Sequence, residues 1–179
     1  SCALFPNTGG IRIENSTIIG QLTSPAGLSA THKTFFDHCT FYDFNPVNQK
    51  KAYFATILID AGGHQSCYEI SHSTFELKYA KLCYLESGSK DETMMPVFKN
   101  NTVNFNGETY VNGDFIALFR GCILKDNTFN INIKNMPPAG LYLITGHAMK
   151  FAGQNTIVDN GKKVGWNGPA GKKIITENK

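Results

Sequence analysis

Three residues along the chain have the types and the spacing of an acid/base set. Asp60 stands before Ala61-Gly62, Glu86 before Ser87-Gly88 and Arg120 before Gly121, each closing a short apolar run. Aligned on those ends they share one column, and Thr145, before Gly146, is its next member. If the runs are neighbouring strands, about 4.8 Å apart, Asp60 and Glu86 sit on adjacent rungs with Arg120 one rung on. Two carboxylates that close raise the pKa of one of them, and a guanidinium favours the ionised form of its neighbour. Such a set could cleave a sugar chain, and a separation of about 5 Å suits the retaining geometry. His64 in the loop after Asp60, Tyr84 on the outward parity of its run, and His147 just past Gly146 are placed to contact substrate. Segments 61–69 and 87–96 would wall a groove over the short turn at Gly121. Outward charges on a sheet are otherwise solvated and stacked opposite charges form an ordinary ladder, so the same column also suits a surface without chemistry.

Other titratable residues carry less. His38 and His72 fall in one polar column, but a metal wants a third ligand that the spacing does not supply, and they are read as corner residues. Glu14 and Asp37 share the column beside it and are read as solvated. Lys162, Lys163, Lys172 and Lys173 make the C-terminal segment basic, a solubilising surface in a glycine-rich stretch. The five cysteines include no CxxC pair, which argues for small core residues over a disulfide scaffold or a zinc site. No metal and no cofactor are expected.

The elements that must position these residues follow from a repeat. The pattern apolar, variable, polar, small-polar, Thr, apolar occurs at Ile13–Ile18, Phe36–Phe41, Ile70–Phe75, Phe98–Val103 and Leu124–Phe129, and more weakly at Ala152–Ile157. Its threonines are Thr17, Thr40, Thr74, Thr102, Thr128 and Thr156, an uneven period of more than 20 residues that suits coils carrying loops. Between the motifs lie β-branched and aromatic runs bounded by Gly and Asn, among them Ile57-Leu58-Ile59, Leu82 to Leu85, Phe115 to Phe119 and Leu141 to Ile144. Runs of this length and composition read as strands. The residues four before and one after each threonine should point inward and stack from coil to coil. The column two before it, Asn15, His38, His72, Asn100, Asp126 and Gln154, is polar throughout and suits a hydrogen-bonded ladder at a tight corner. Leu58, Tyr84, Leu118 and Leu143 should face outward, an apolar column that wants a cover. The fold expected is all-β, a right-handed parallel β-helix of about six to seven coils.

The recurring N-x-T-[aromatic/aliphatic] turn between short strands resembles that of the pectate-lyase-like right-handed parallel β-helix superfamily, over nearly the whole chain. The resemblance implies the fold and a polysaccharide as partner, and leaves the reaction open. Its polygalacturonase-like members carry an aspartate pair and a Gly-His-Gly turn, of which Thr145-Gly146-His147-Ala148 is a partial echo. Gly113-Asp114-Phe115-Ile116 is a faint one of the pectin methylesterases, and the clustered acids of calcium-dependent pectate lyases have no counterpart.

Composition limits the alternatives. In 179 residues, Lys+Arg 17 against Asp+Glu 14 gives a formal net charge of +3, and charged residues are 17%. That balance argues against a nucleic-acid surface and a disordered charged tail. The 17 asparagines match the 17 glycines, a turn-and-strand composition. No apolar run is long enough to cross a bilayer as a helix. We therefore expect one β-helix domain over 1–179, a fragment of a longer secreted, cell-surface or virion-tail protein, open at both ends and covered there by further coils or by partners in a homotrimer. Its function is either to bind polysaccharide, with or without cleaving it as a lyase or glycoside hydrolase, or, alternatively, to serve as a non-catalytic solenoid such as a tailspike shaft or adhesin.

Overall fold

The computed structural model describes residues 3–4, 11–23, 33–52, 57–61, 68–87, 89–107, 117–132, 144–147, 150–164 and 175–178. Among them strand is the dominant regular structure, with one 3-10 turn at Glu92–Met94 capped by the Asp91 carboxylate. The strands form three sheets. The first runs Ala3–Leu4, Leu22–Thr23, Ile57–Ala61, Lys81–Glu86, Ala117–Arg120, Ile144–His147 and Ile175–Asn178. The second runs Arg12–Glu14, Thr34–Asp37, Tyr68–Ser71, Val97–Lys99, Ile123–Lys125 and Lys150–Ala152. The third runs Thr17–Ile19, Thr40–Tyr42, Thr74–Leu77, Thr102–Phe105, Thr128–Ile131 and Thr156–Asp159, with Lys162–Val164 added antiparallel. All other strand pairings among the described residues are parallel, and each passage along the chain adds one strand to each sheet, an arrangement compatible with a parallel β-helix.

The threonine column is in register throughout: Thr17 pairs with Thr40, Thr40 with Thr74, Thr74 with Thr102, Thr102 with Thr128 and Thr128 with Thr156. The residue after each threonine turns inward, so Phe41, Phe75, Val103, Phe129 and Ile157 are buried. Phe36, Ile70, Phe98 and Leu124 meet them from the second sheet. Phe41 and Phe75 lie face to face with centroids 4.5 Å apart, and Phe98 sits 5.4 Å from Phe75 and 5.5 Å from Phe119. Stacked aromatic burial of this kind supplies the main favourable term.

The corner between the second and third sheets is turned by a single residue with positive φ: Asn15 (49°), His38 (52°), His72 (47°), Asn100 (53°) and Asp126 (53°). Asn, Asp and His are the side chains that tolerate this region best, so the polar column two before the threonine reflects backbone conformation. The buried ladder stands one residue later. Cys39 N–H donates to Ser73 Oγ (3.0 Å), Ser73 N–H to Asn101 Oδ1 (2.9 Å), Asn101 N–H to Asn127 Oδ1 (3.0 Å) and Asn127 N–H to Asn155 Oδ1 (3.0 Å). Asn101 and Asn127 also donate Nδ2 to the carbonyls of Ile70 and Phe98. These amides satisfy buried backbone groups that the turn takes out of the sheets.

The weak sixth copy departs from the pattern. Leu124 pairs with Phe151 and Lys125 with Ala152, while Thr128 still pairs with Thr156, so this corner holds one extra residue and Phe151, not Ala152, is the register partner of Leu124. Gly153, one residue before Gln154 of the polar column, takes the positive φ (61°). A Cβ there would lie 1.9 Å from Asp126 Oδ1, which leaves glycine as the residue that fits.

The outward apolar column finds a cover at Leu58. Leu58 is buried on a parity opposite to Ile59, which is buried too, so the chain itself covers it. Tyr84 is half-buried, and the side chains of Leu118 and Leu143 lie outside the described residues.

Candidate functional site

The strands Lys81–Glu86 and Ala117–Arg120 pair with Glu86 opposite Arg120 and Tyr84 opposite Leu118. Residues of one parity share a face, so Tyr84, Glu86 and Arg120 stand together on the face opposite to that of buried Cys83, Leu85 and Phe119. Arg120 Nη1 donates to Glu86 Oε1 at 2.7 Å, and the Tyr84 hydroxyl donates to Glu86 Oε2 at 3.1 Å. The Glu86 side chain is 12% exposed and that of Arg120 53%. Burial, followed by its bond to Glu86, raises the Tyr84 phenol above its ordinary pKa. Arg120 is set by a tight turn. Gly121 has φ +60°, and a Cβ on it would lie 2.3 Å from the Ser87 carbonyl oxygen.

The expected single column divides. Asp60 pairs with Tyr84, two residues before Glu86, and Thr145 pairs with Leu118, so both belong to the Tyr84 row. The Glu86 row continues through Arg120 to His147. Asp60 and Glu86 are therefore diagonal neighbours, which puts them at about 7–8 Å instead of the adjacent-rung spacing. The reason is strand length: Ala61 is still within its strand and pairs with Leu85, so the residue before each small-Gly turn is not an equivalent position. Of the other expected contacts, Tyr84 is in the cluster, His147 has its backbone in the adjoining strand, and His64 lies outside the described residues. So does most of the 61–69 wall, while Ser87 and Met95 of the other wall are buried.

A second cluster, at the corner between the second and third sheets, joins Asp37 to His38 and His72, which the sequence sets in separate columns. Asp37 Oδ1 lies 2.9 Å from His72 Nδ1 and accepts the Ser71 hydroxyl at 2.8 Å, while Oδ2 lies 3.2 Å from His38 Nδ1. The two imidazoles stack across adjacent coils with centroids 4.8 Å apart. Arg12, bonded to Glu14, reaches to 3.8 Å from Asp37 Oδ2. The bonds from His72, Ser71 and His38 hold the Asp37 carboxyl well below the usual carboxylate range. The missing ligand was hidden because Asp37 adjoins His38 in sequence but reaches His72 only across the coil, where Asp37 pairs with Ser71.

Searched against family models, curated proteins and solved structures, the chain matches none significantly. Among the described residues no helix is long and apolar enough to cross a membrane.

Proposed function

We propose that this chain is a polysaccharide-binding module on a right-handed parallel β-helix of the pectate-lyase-like kind, acting outside the cell or at its surface. The observation that supports it is the Tyr84–Glu86–Arg120 cluster on the face of the first sheet. A half-exposed guanidinium fixed by a carboxylate offers a planar set of donors to sugar hydroxyls or uronate groups. A phenol beside it offers a ring edge and a flat apolar face. Asp60 and His147 extend the row positions on either side. Parallel strands at a regular rise present these groups along a straight track, which suits an extended polymer.

A glycan array on the folded chain, followed by titration with the glycan retained, tests the reading. Arg120→Ala and Tyr84→Ala are each expected to weaken binding by about tenfold, the loss of one charged or stacking contact. An array on which nothing is retained, or affinity unchanged in both variants, would overturn it. A reducing-end assay on the same glycan decides whether binding leads to cleavage. New ends formed by the wild-type chain and absent with Glu86→Gln would make Glu86 catalytic.

The second reading is a structural solenoid such as a tailspike shaft or adhesin stalk. It is supported by Glu86 itself, whose two oxygens are already engaged by Arg120 and Tyr84. That reading expects an oligomer in solution and no retained glycan.

A further inference from the structure

The geometry points to a binding site for a divalent first-row transition ion of the zinc type, formed by Asp37, His38 and His72 at the corner between the second and third sheets. It is separate from the Tyr84–Glu86–Arg120 face and independent of the reading given to that face.

One ligand atom from each of the three residues lies within 4.8 Å of the other two. The positions are built into the backbone: His38 and His72 occupy the positive-φ corner of successive coils, and Asp37 ends the strand that leads into the first of them. Both imidazoles already turn Nδ1 toward the same carboxylate, at 3.2 Å and 2.9 Å. An ion replacing the two protons between these groups would find its donors converged, with little ordering left to do. Two imidazole nitrogens and one carboxylate oxygen match zinc, nickel or copper, whereas calcium and magnesium want six or more oxygens. The histidine side chains are 59% and 45% exposed, which leaves the remaining coordination position open to water.

The surroundings supply the outer contacts that such sites use. The Ser71 hydroxyl orients Asp37 from 2.8 Å, and the Asn100 side-chain amide lies 3.2 Å from His72 Nε2. With Nδ1 on a metal, Nε2 carries the ring proton, and an Asn amide can turn its oxygen to accept it. The opposing charge is Arg12, and its bond to Glu14 offers it a partner away from the ion.

Calorimetric titration of zinc chloride into the chain at about pH 7.5, where imidazoles are available as ligands, tests the proposal. One ion per chain is expected, with calcium chloride giving no heat. His38→Asn and His72→Asn are suitable variants because asparagine occupies the same corner at Asn15 and Asn100, and circular dichroism melting checks that they fold. Each should weaken binding by about tenfold or more, and the double variant should abolish it. A wild-type chain that takes up no zinc would overturn the proposal, as would a folded double variant that binds as tightly as wild type.

Discussion

At the scale of single residues, two aspartates show how the same side chain is driven in opposite directions. Asp37 is partly exposed and ringed by donors, so its carboxyl titrates well below the ordinary range. Asp43 is fully buried, and burial raises its pKa even though Lys78, Tyr79 and Ala80 all donate backbone N–H groups to it. The consequences for stability have opposite signs. The Asp37 contribution is complete above the unfolded pKa of about 3.9 and is lost as pH falls below it. The Asp43 contribution declines as pH rises from that value through its higher folded pKa. Melting temperatures measured from about pH 4 down to about pH 2 should therefore fall as the Asp37 contribution is lost, and Asp37→Asn should flatten that fall. An acid limb of unchanged slope in the variant would show that Asp37 does not drive it.

At the scale of the elements, the corner holds the buried polar links. Asn127 is wholly buried; its side chain accepts from Asn101 N–H and donates to the Phe98 carbonyl and to Asn155. Asn127→Ala leaves two backbone groups without partners and opens a void, a cost of about 3 kcal/mol or more. Asn130, three residues on, within the strand Thr128–Ile131 and half-buried, donates to Asn104 on a side-chain ladder between third-sheet strands. Its replacement by Ala should cost about 1 kcal/mol or less, and urea unfolding that found the two variants equal would contradict this ranking. The elements were also unevenly legible in the sequence. The six threonines and the apolar columns around them could be read because the same residue types recur at the same offsets. The ladder was placed one residue early because two adjacent columns are both polar, and only the sign of φ tells the turning residue from the buried one. The extra residue at Gly153 was invisible once copies were aligned on their threonines. The Tyr84–Glu86–Arg120 face was half legible: its members were named, but no repeated side chain fixes the register of the first sheet, so Asp60 was set two residues out of line.

At the scale of the whole molecule, the interior is continuous from coil to coil, and its thiols report on it. Cys39, Cys83 and Cys122 are buried, and burial pushes the Cys122 thiol far above its ordinary pKa. A thiol reagent acts on the accessible thiolate. In a variant with Cys2 and Cys67 replaced by serine, the native chain should react slowly and the three remaining thiols should all be released by denaturant; rapid labelling of the native chain would mean that the coils open readily. The ladder has one more consequence, which concerns time. Each link runs backward: the oxygen that satisfies a corner N–H comes from a side chain 34, 28, 26 or 28 residues later for Cys39, Ser73, Asn101 and Asn127. A nascent chain leaving the ribosome therefore cannot seal a corner with the coil that contains it. It must wait for the next coil to emerge, about 1–7 s at ordinary rates of synthesis, so the ordered front of the growing protein trails its own translation by one turn.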